Sequence, residues 1–450
     1  MTHLDAFIEK LLKAAAEAGI DPAEVYCTEH SAFSAQAMEG NIDSYEVSET
    51  CALGLRGVVG GKTGYASTEA FDDDAVRMLI RGVQESAALV ETDEQDEIYA
   101  GDPEYPETEM PENDLDKVTP EEKLDFALEM EKSARAADAR IAKSNGAYVS
   151  TGRGILRLVN SYGLNLKTET PPGGYATAGI WLVGKEGEST VAGGDSEAGR
   201  KFRAMDPAAI GRKAVEETVA RLNASPVESG VYRAVIRRDA MKALLRTFAG
   251  IFSAENAQKK MSLLGGREGE MIAAPCVTLM DDPLLPGGFA SAAFDGEGSA
   301  CRTKAVIESG VLKTLLHNRK TARKAGTEST GNARRSVSSP VQVAPTNFFF
   351  TPGEKDLAGL LADMGEGLLI TELGGLHAGA NPISGDFSLI AKGFRVKDGK
   401  QGAPVEQVTI AGNFYQLLKD IRAVGSDLEF KGSGIGAPSV DAGTIHVSGK

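Results

Sequence analysis

Histidine, cysteine and tryptophan are scarce in this 450-residue chain, at five, four and one, and each scarcity closes off a chemistry. His3, His30, His317, His377 and His446 are scattered. None is followed by Glu, so an H-E-x-x-H zinc helix is excluded, and no metal site is expected. No G-x-S-x-G nucleophile elbow occurs. Cys27, Cys51, Cys276 and Cys301 form no C-x-x-C pair and read as buried reduced thiols rather than a disulfide framework. No run of 18 apolar residues is present, so no membrane helix is expected. The opening MTHLDAFIEKLLKAAAEAG is an amphipathic helix without the basic and apolar regions of a signal peptide, which points to a cytoplasmic protein.

Positive charge is also in deficit, with 48 Lys and Arg against 64 Asp and Glu, a net charge of -16. Nucleic acid and anionic membranes both need a positive face, so neither is expected as the main partner. Twelve acids and no base fall between Glu91 and Asp116, among Pro103, Pro106 and Pro111. The rest of the chain is nearly neutral, which weakens that exclusion. Residues 91–117 read as an acidic solvated loop, or as an acidic lid or docking strap. Glycine is in excess, at 52 residues, yet nucleotide motifs fail. In GVVGGKT (57–63) the P-loop's first glycine is replaced by Arg56, and GSGIG (432–436) lies too near the end of the sequence for a βαβ unit to follow.

The hydrophobic pattern predicts an α+β protein of two domains, 1–225 and 226–450. In the first, helix 4–18, strands over 24–68 and helix 72–89 are followed by helix 120–137, strands over 139–191 and helix 206–222. This is one helix–antiparallel strands–helix unit used twice. The second domain is strand-rich and glycine-containing. It opens with a strand in PVESGVYRAVIRRDA and a helix capped by Asp239. A hairpin is expected about Glu308-Ser309-Gly310.

The densest polar constellation is TELGGLHAGANPISGDFSLIAKGF, residues 371–394. His377 and Asp386 are its candidate catalytic residues, and Glu372, Asn381, Ser384 and Gly385 its candidate substrate contacts. The alternative is a turn region whose polar groups satisfy one another.

NPISGDFS followed by GFRVKDGK resembles the signature of the TldD/PmbA family, long labelled as modulators of DNA gyrase. The similarity extends through KGSGIGAPS, DDPLLPGGFASAAFDGEGSACRTKAVIESGVLKTLL and TGNARR, and covers nearly the whole chain. The resemblance implies a role in a heterodimeric zinc peptidase that degrades unfolded peptides and trims a peptide precursor. In that pair the TldD-type subunit carries an HExxxH-type helix and a further Cys ligand. The corresponding segment here, ALLRTFAGIFSAENAQKK, has no His, its one Glu is Glu255, and no Cys follows Cys301. The resemblance therefore implies a PmbA/TldE-like subunit without its own cofactor, any zinc being held by a TldD-type partner. Two other readings stand beside it: a homodimeric hydrolase built on His377 and Asp386, and a protein-binding regulator of gyrase.

Overall fold

The computed structural model describes residues 3–91 and 97–450. The amino-terminal half runs α1 (His3–Glu17), β1 (Ala23–Met38), β2 (Asn41–Val59), β3 (Lys62–Thr68) and α2 (Asp73–Ala88). It continues with α3 (Pro120–Ala137), β4 (Ile141–Asn160), β5 (Asn165–Glu169), β6 (Tyr175–Glu186), β7 (Ser189–Gly199) and α4 (Pro207–Val219). Local chemistry sets these bounds. Asp72 caps α2 through the Ala75 N–H, and Asp206 caps α4 through those of Ala208 and Ala209. Thr119 and Glu122 close a capping box on α3, with Pro120 in its first turn. The β1–β2 and β2–β3 turns need two consecutive positive φ angles, supplied by Glu39-Gly40 and Gly60-Gly61.

All seven strands form one sheet in the order β3-β2-β1-β4-β6-β7, with β5 also paired to β4. The halves meet where β1 and β4 run antiparallel, from Glu24 opposite Asn160 to Ala37 opposite Ala147. Apolar positions of α1 and α2 pack on β1 and β2 around Leu11, Val25, Leu53 and Leu79. Those of α3 and α4 pack on β4 and β6 around Met130, Val149, Ile180 and Ala214. The expected repetition of helix, antiparallel strands and helix is thus seen, fused into one sheet.

The carboxyl-terminal half begins with β8 (Gly230–Ile236) and α5 (Arg238–Phe248). Arg237, not Asp239, occupies the α5 cap position and makes no side-chain cap bond; Asp239 sits in the first turn. Five strands close into a barrel. The Gly367–Gly374 strand pairs parallel to β8 and antiparallel to Asp386–Lys397. The latter pairs with Lys400–Asn413, then Val440–Ser448 joins that strand to β8. The apolar stripe Met241, Leu244, Leu245 and Phe248 of α5 is buried, and Phe248 stacks on Phe414 with ring centres 4.6 Å apart. The segment 243–260 is not one helix. It passes through a 3-10 turn at Ala249–Phe252 and restarts as Ala254–Gln258 under a Ser253 cap. A smaller sheet holds the expected hairpin, with Ile307 opposite Leu312 across Ser309-Gly310.

The acidic stretch is not a free solvated loop where it is described; Thr92–Asp96 lie outside the described residues. From Glu97 to Lys117 it lies across both halves. Ile98 is buried, the Asn160 amide donates to the Tyr99 carbonyl, and the Tyr105 hydroxyl donates to the Gly298 carbonyl at 2.8 Å. Asp102 accepts from the Ala300 N–H at 2.6 Å, and Asp114 accepts from those of Phe202 and Arg203. Composition reads charge, while two apolar or aromatic anchors and specific acceptors tie the segment down.

Behind this strap lie two buried carboxyls. Asp295 accepts from the N–H groups of Glu297, Ser299 and Ala333, and Glu297 from that of Arg319. Burial pushes both pKa values above the ordinary carboxylate range. Asp295 adds to the rise at Glu297, while Arg56 and Arg335 oppose it. A carboxyl whose folded pKa is raised favours folding while it is protonated in both states. That contribution is lost as pH rises from the ordinary carboxylate range toward neutrality. Glu297→Gln should therefore gain on the native protein as pH climbs from about 4.5 to 8. Urea midpoints across that range measure it; a constant difference would show that Glu297 does not titrate there.

Candidate functional site

Where the seven-stranded sheet meets the barrel, a cavity of about 560 Å3 opens. β7 and α4 supply one wall, the start of α5 and the Gly367–Gly374 strand another, and the loop at Lys431 the floor. Trp181 stands at its rim, 58% exposed.

Its lining is a chain of alternating charge. Lys213 pairs with Asp195 at 2.9 Å, and Asp195 with Lys431 at 2.8 Å. Lys431 lies 3.7 Å from Asp239, which pairs with Arg237 at 3.1 Å. Arg237 grips Glu217 through two nitrogens, at 2.8 and 3.2 Å. Glu217 lies 3.7 Å from Arg221, Arg221 bonds Glu372, and Glu372 accepts from Lys392 at 2.9 Å. Burial opposes charge at every one of these groups whose pKa moves, and the partners prevail. Asp195, Asp239 and Glu372 are held below the ordinary carboxylate range, and Lys431 and Arg237 above their ordinary values. Lys242 on α5, outside this chain of pairs, goes the other way: burial depresses its pKa despite Asp239 and Glu429.

Of the candidate site residues read from the sequence, Glu372 alone lines this cavity. Asn381, Ser384, Gly385 and Asp386 form a self-satisfied turn. The Asn381 carbonyl oxygen of the side chain accepts from the N–H groups of Ile383 and Ser384. Gly385 has φ +83 and donates to the Asn381 backbone carbonyl, and a Cβ there would meet the Tyr415 ring at 2.5 Å. Asp386 is exposed and accepts from the Asn413 amide at 2.8 Å, which with Ser384 lowers its pKa. His377 is exposed on the short helix Leu376–Gly379. Among the described residues no hydrogen bond joins His377 to Asp386. Sequence reasoning missed Asp195, Lys213, Glu217, Arg221, Arg237 and Lys431. The cue available was the run Arg237-Arg238-Asp239 directly after an apolar strand.

The arrangement holds no nucleophile–base pair. It offers a polar floor of exchangeable ion pairs and an aromatic rim, which suits binding of an extended, polar chain. A catalytic zinc ion needs three protein ligands and an open position. Among the described residues no group of three or more His, Cys, Asp or Glu is placed to hold a metal. The Glu255 carboxylate is taken by Lys259 at 2.6 Å. The described residues do not fit zinc.

Sequence families described as PmbA/TldA metallopeptidase domain 1, central domain and C-terminal domain match residues 23–87, 113–222 and 229–449. Fold and sequence thus define a metallopeptidase-type architecture. The chain belongs to the PmbA/TldD family. It is similar to a protein named Metalloprotease PmbA homolog from Haemophilus influenzae, 27% identical over 95% of this chain and 92% of that relative. It is 26% identical to Metalloprotease PmbA of Escherichia coli O157:H7, over 96% and 93%. A Thermotoga maritima crystal structure, named for modulation of a DNA gyrase, is 31% identical with a TM-score of 0.91, covering 99% of this chain and 100% of that one. TldE from Thermococcus kodakarensis shares the fold at 23% identity, with a TM-score of 0.89 over 98% and 100%.

Proposed function

We propose that this chain is the non-metal subunit of a cytoplasmic PmbA/TldD-type peptidase, pairing with a TldD-type subunit that carries the zinc. Its role is to hold an extended, unfolded peptide while the partner cleaves it, in degradation or in trimming a precursor. The observation that carries the reading is the segment 238–258, which has no His and keeps its one Glu in an ion pair. The relatives' names supply the link to proteolysis. The charge-lined cavity supplies a surface that can exchange its own ion pairs for those of a polar chain. Among the described residues no helix is long and apolar enough to cross a membrane.

Co-expression with a metal-bearing member of the family tests this. The two chains should co-purify, and peptide cleavage should need both. Glu372→Ala should raise the KM for peptide about tenfold while the complex still forms, since it removes one of the two carboxylate partners of Arg221 in the cavity and the partner of Lys392 beside it. A partner that cleaves at full rate without this chain would refute the proposal.

A further inference from the structure

The first half of β2 is open on its outer edge. β3 pairs with β2 only from Leu53 to Val59, whereas β1 pairs with it from Asn41 onward. Over residues 41–52 no strand among the described residues lies on the outer side. Alternate N–H and C=O groups along such an edge have no partner within the fold, which is the template for strand addition.

The side chains there say what kind of strand would fit. Val47 lies opposite Phe33, and Tyr45 opposite Ala35. Phe33 and Ala35 are buried, with Lys123 of α3 over the Phe33 ring. Tyr45 and Val47 continue that face outward and stand 65% exposed. The apolar face of the sheet therefore extends past its helical cover. Asp43, Glu46 and Glu49 punctuate the same stretch, all exposed. No Lys or Arg occurs anywhere in residues 14–55.

Acids on an edge discourage pairing between identical copies, because like charges would face each other. They do not discourage a basic strand. We infer that the outer edge of β2 is a docking site for an extended basic segment of another polypeptide. That segment adds as a further strand, with aliphatic or aromatic residues over Tyr45 and Val47 and Lys or Arg against Glu46 and Glu49. The inference goes beyond the peptidase reading, and its test reads binding without cleavage.

The probe is a fluorescein-labelled Thr-Val-Lys-Val-Thr-Lys-Thr peptide, whose alternation sets Val over Tyr45 and Val47 and Lys against Glu46 and Glu49, with a counterpart carrying Glu for each Lys, titrated with the full chain and read by anisotropy. The basic peptide should bind, weaken with salt, and protect residues 41–52 from amide exchange. Glu46→Lys/Glu49→Lys should weaken it about tenfold or more and let the acidic peptide bind. Glu9→Lys/Glu354→Lys makes the same change in net charge at exposed sites elsewhere, and should leave binding unchanged. No binding by the native chain, equal loss in the control variant, or unchanged binding in the edge variant would each overturn the proposal. So would a dimer that the edge variant dissociates or tightens, since the occupant would then be a second copy.

Discussion

Glu24→Ala should destabilise the protein by about 3–5 kcal/mol, the range for removing one partner from a buried ion group. Glu24 is fully buried on β1. One carboxylate oxygen accepts from Arg56 of β2 at 2.7 Å and from Arg335 of the carboxyl-terminal half at 2.5 Å. Both arginine side chains are at most 3% exposed. Arg335 also lies over the Tyr26 ring, whose hydroxyl donates to the Arg335 carbonyl. Alanine leaves two guanidinium groups facing each other out of water. Glu24→Leu/Arg56→Met/Arg335→Met should recover most of the loss, because apolar replacements of similar volume need no counter-charge. Urea midpoints of the single and triple variants measure both effects. A single variant within about 1 kcal/mol of native stability would mean that water reaches the cluster.

Gly393→Ala should cost about 3 kcal/mol and disturb the cavity as well. A Cβ at Gly393 would stand 1.8 Å from the Leu369 carbonyl oxygen, a backbone atom that cannot rotate away. The pairing of these two barrel strands already shifts register beside the contact, between Ile370 and Glu372, and the pairing of Asp386–Lys397 with Lys400–Asn413 shifts between Ala391 and Gly393. Lys392 is the neighbour that donates to Glu372, and the Ile370 carbonyl accepts from the Arg237 N–H. Pushing the strands apart would move one end of the charge chain, at Lys392 and Glu372, and its middle, at Arg237. Thermal unfolding and peptide affinity should fall together. An unaltered melting temperature would contradict so close an approach of the two strands.

Much of the fold was legible because its signals are local. Asp72, Thr119 with Glu122, and Asp206 each mark a helix start within a few residues, and the hairpin glycines mark strand reversals. The family signature was legible for the same reason: NPISGDFS is a contiguous turn. That locality also limits what the turn says about function, since its polar groups bond one another and Asn413. The cavity was not legible. Asp195 meets Lys431 across 236 positions, and Arg221 meets Glu372 across 151. No periodicity encodes such pairs. Asp239 was misread as a cap because local chemistry favours Asp there, while its neighbour Arg237 and the distant Lys431 claim the carboxylate.

The closed barrel bears on how the protein is made. β8 borders the Val440–Ser448 strand, so a strand emerging midway through synthesis waits for one translated some 200 residues later. The seven-stranded sheet, complete by Gly199, has all its own strands much earlier. A ribosome-bound chain would thus carry a folded amino-terminal half beside an open row of barrel strands. Lys431 and the other late members of the charge chain could not yet be in position. Chaperone demand should concentrate on that interval, and substitutions that slow ring closure should lower the yield of folded protein more than its final stability.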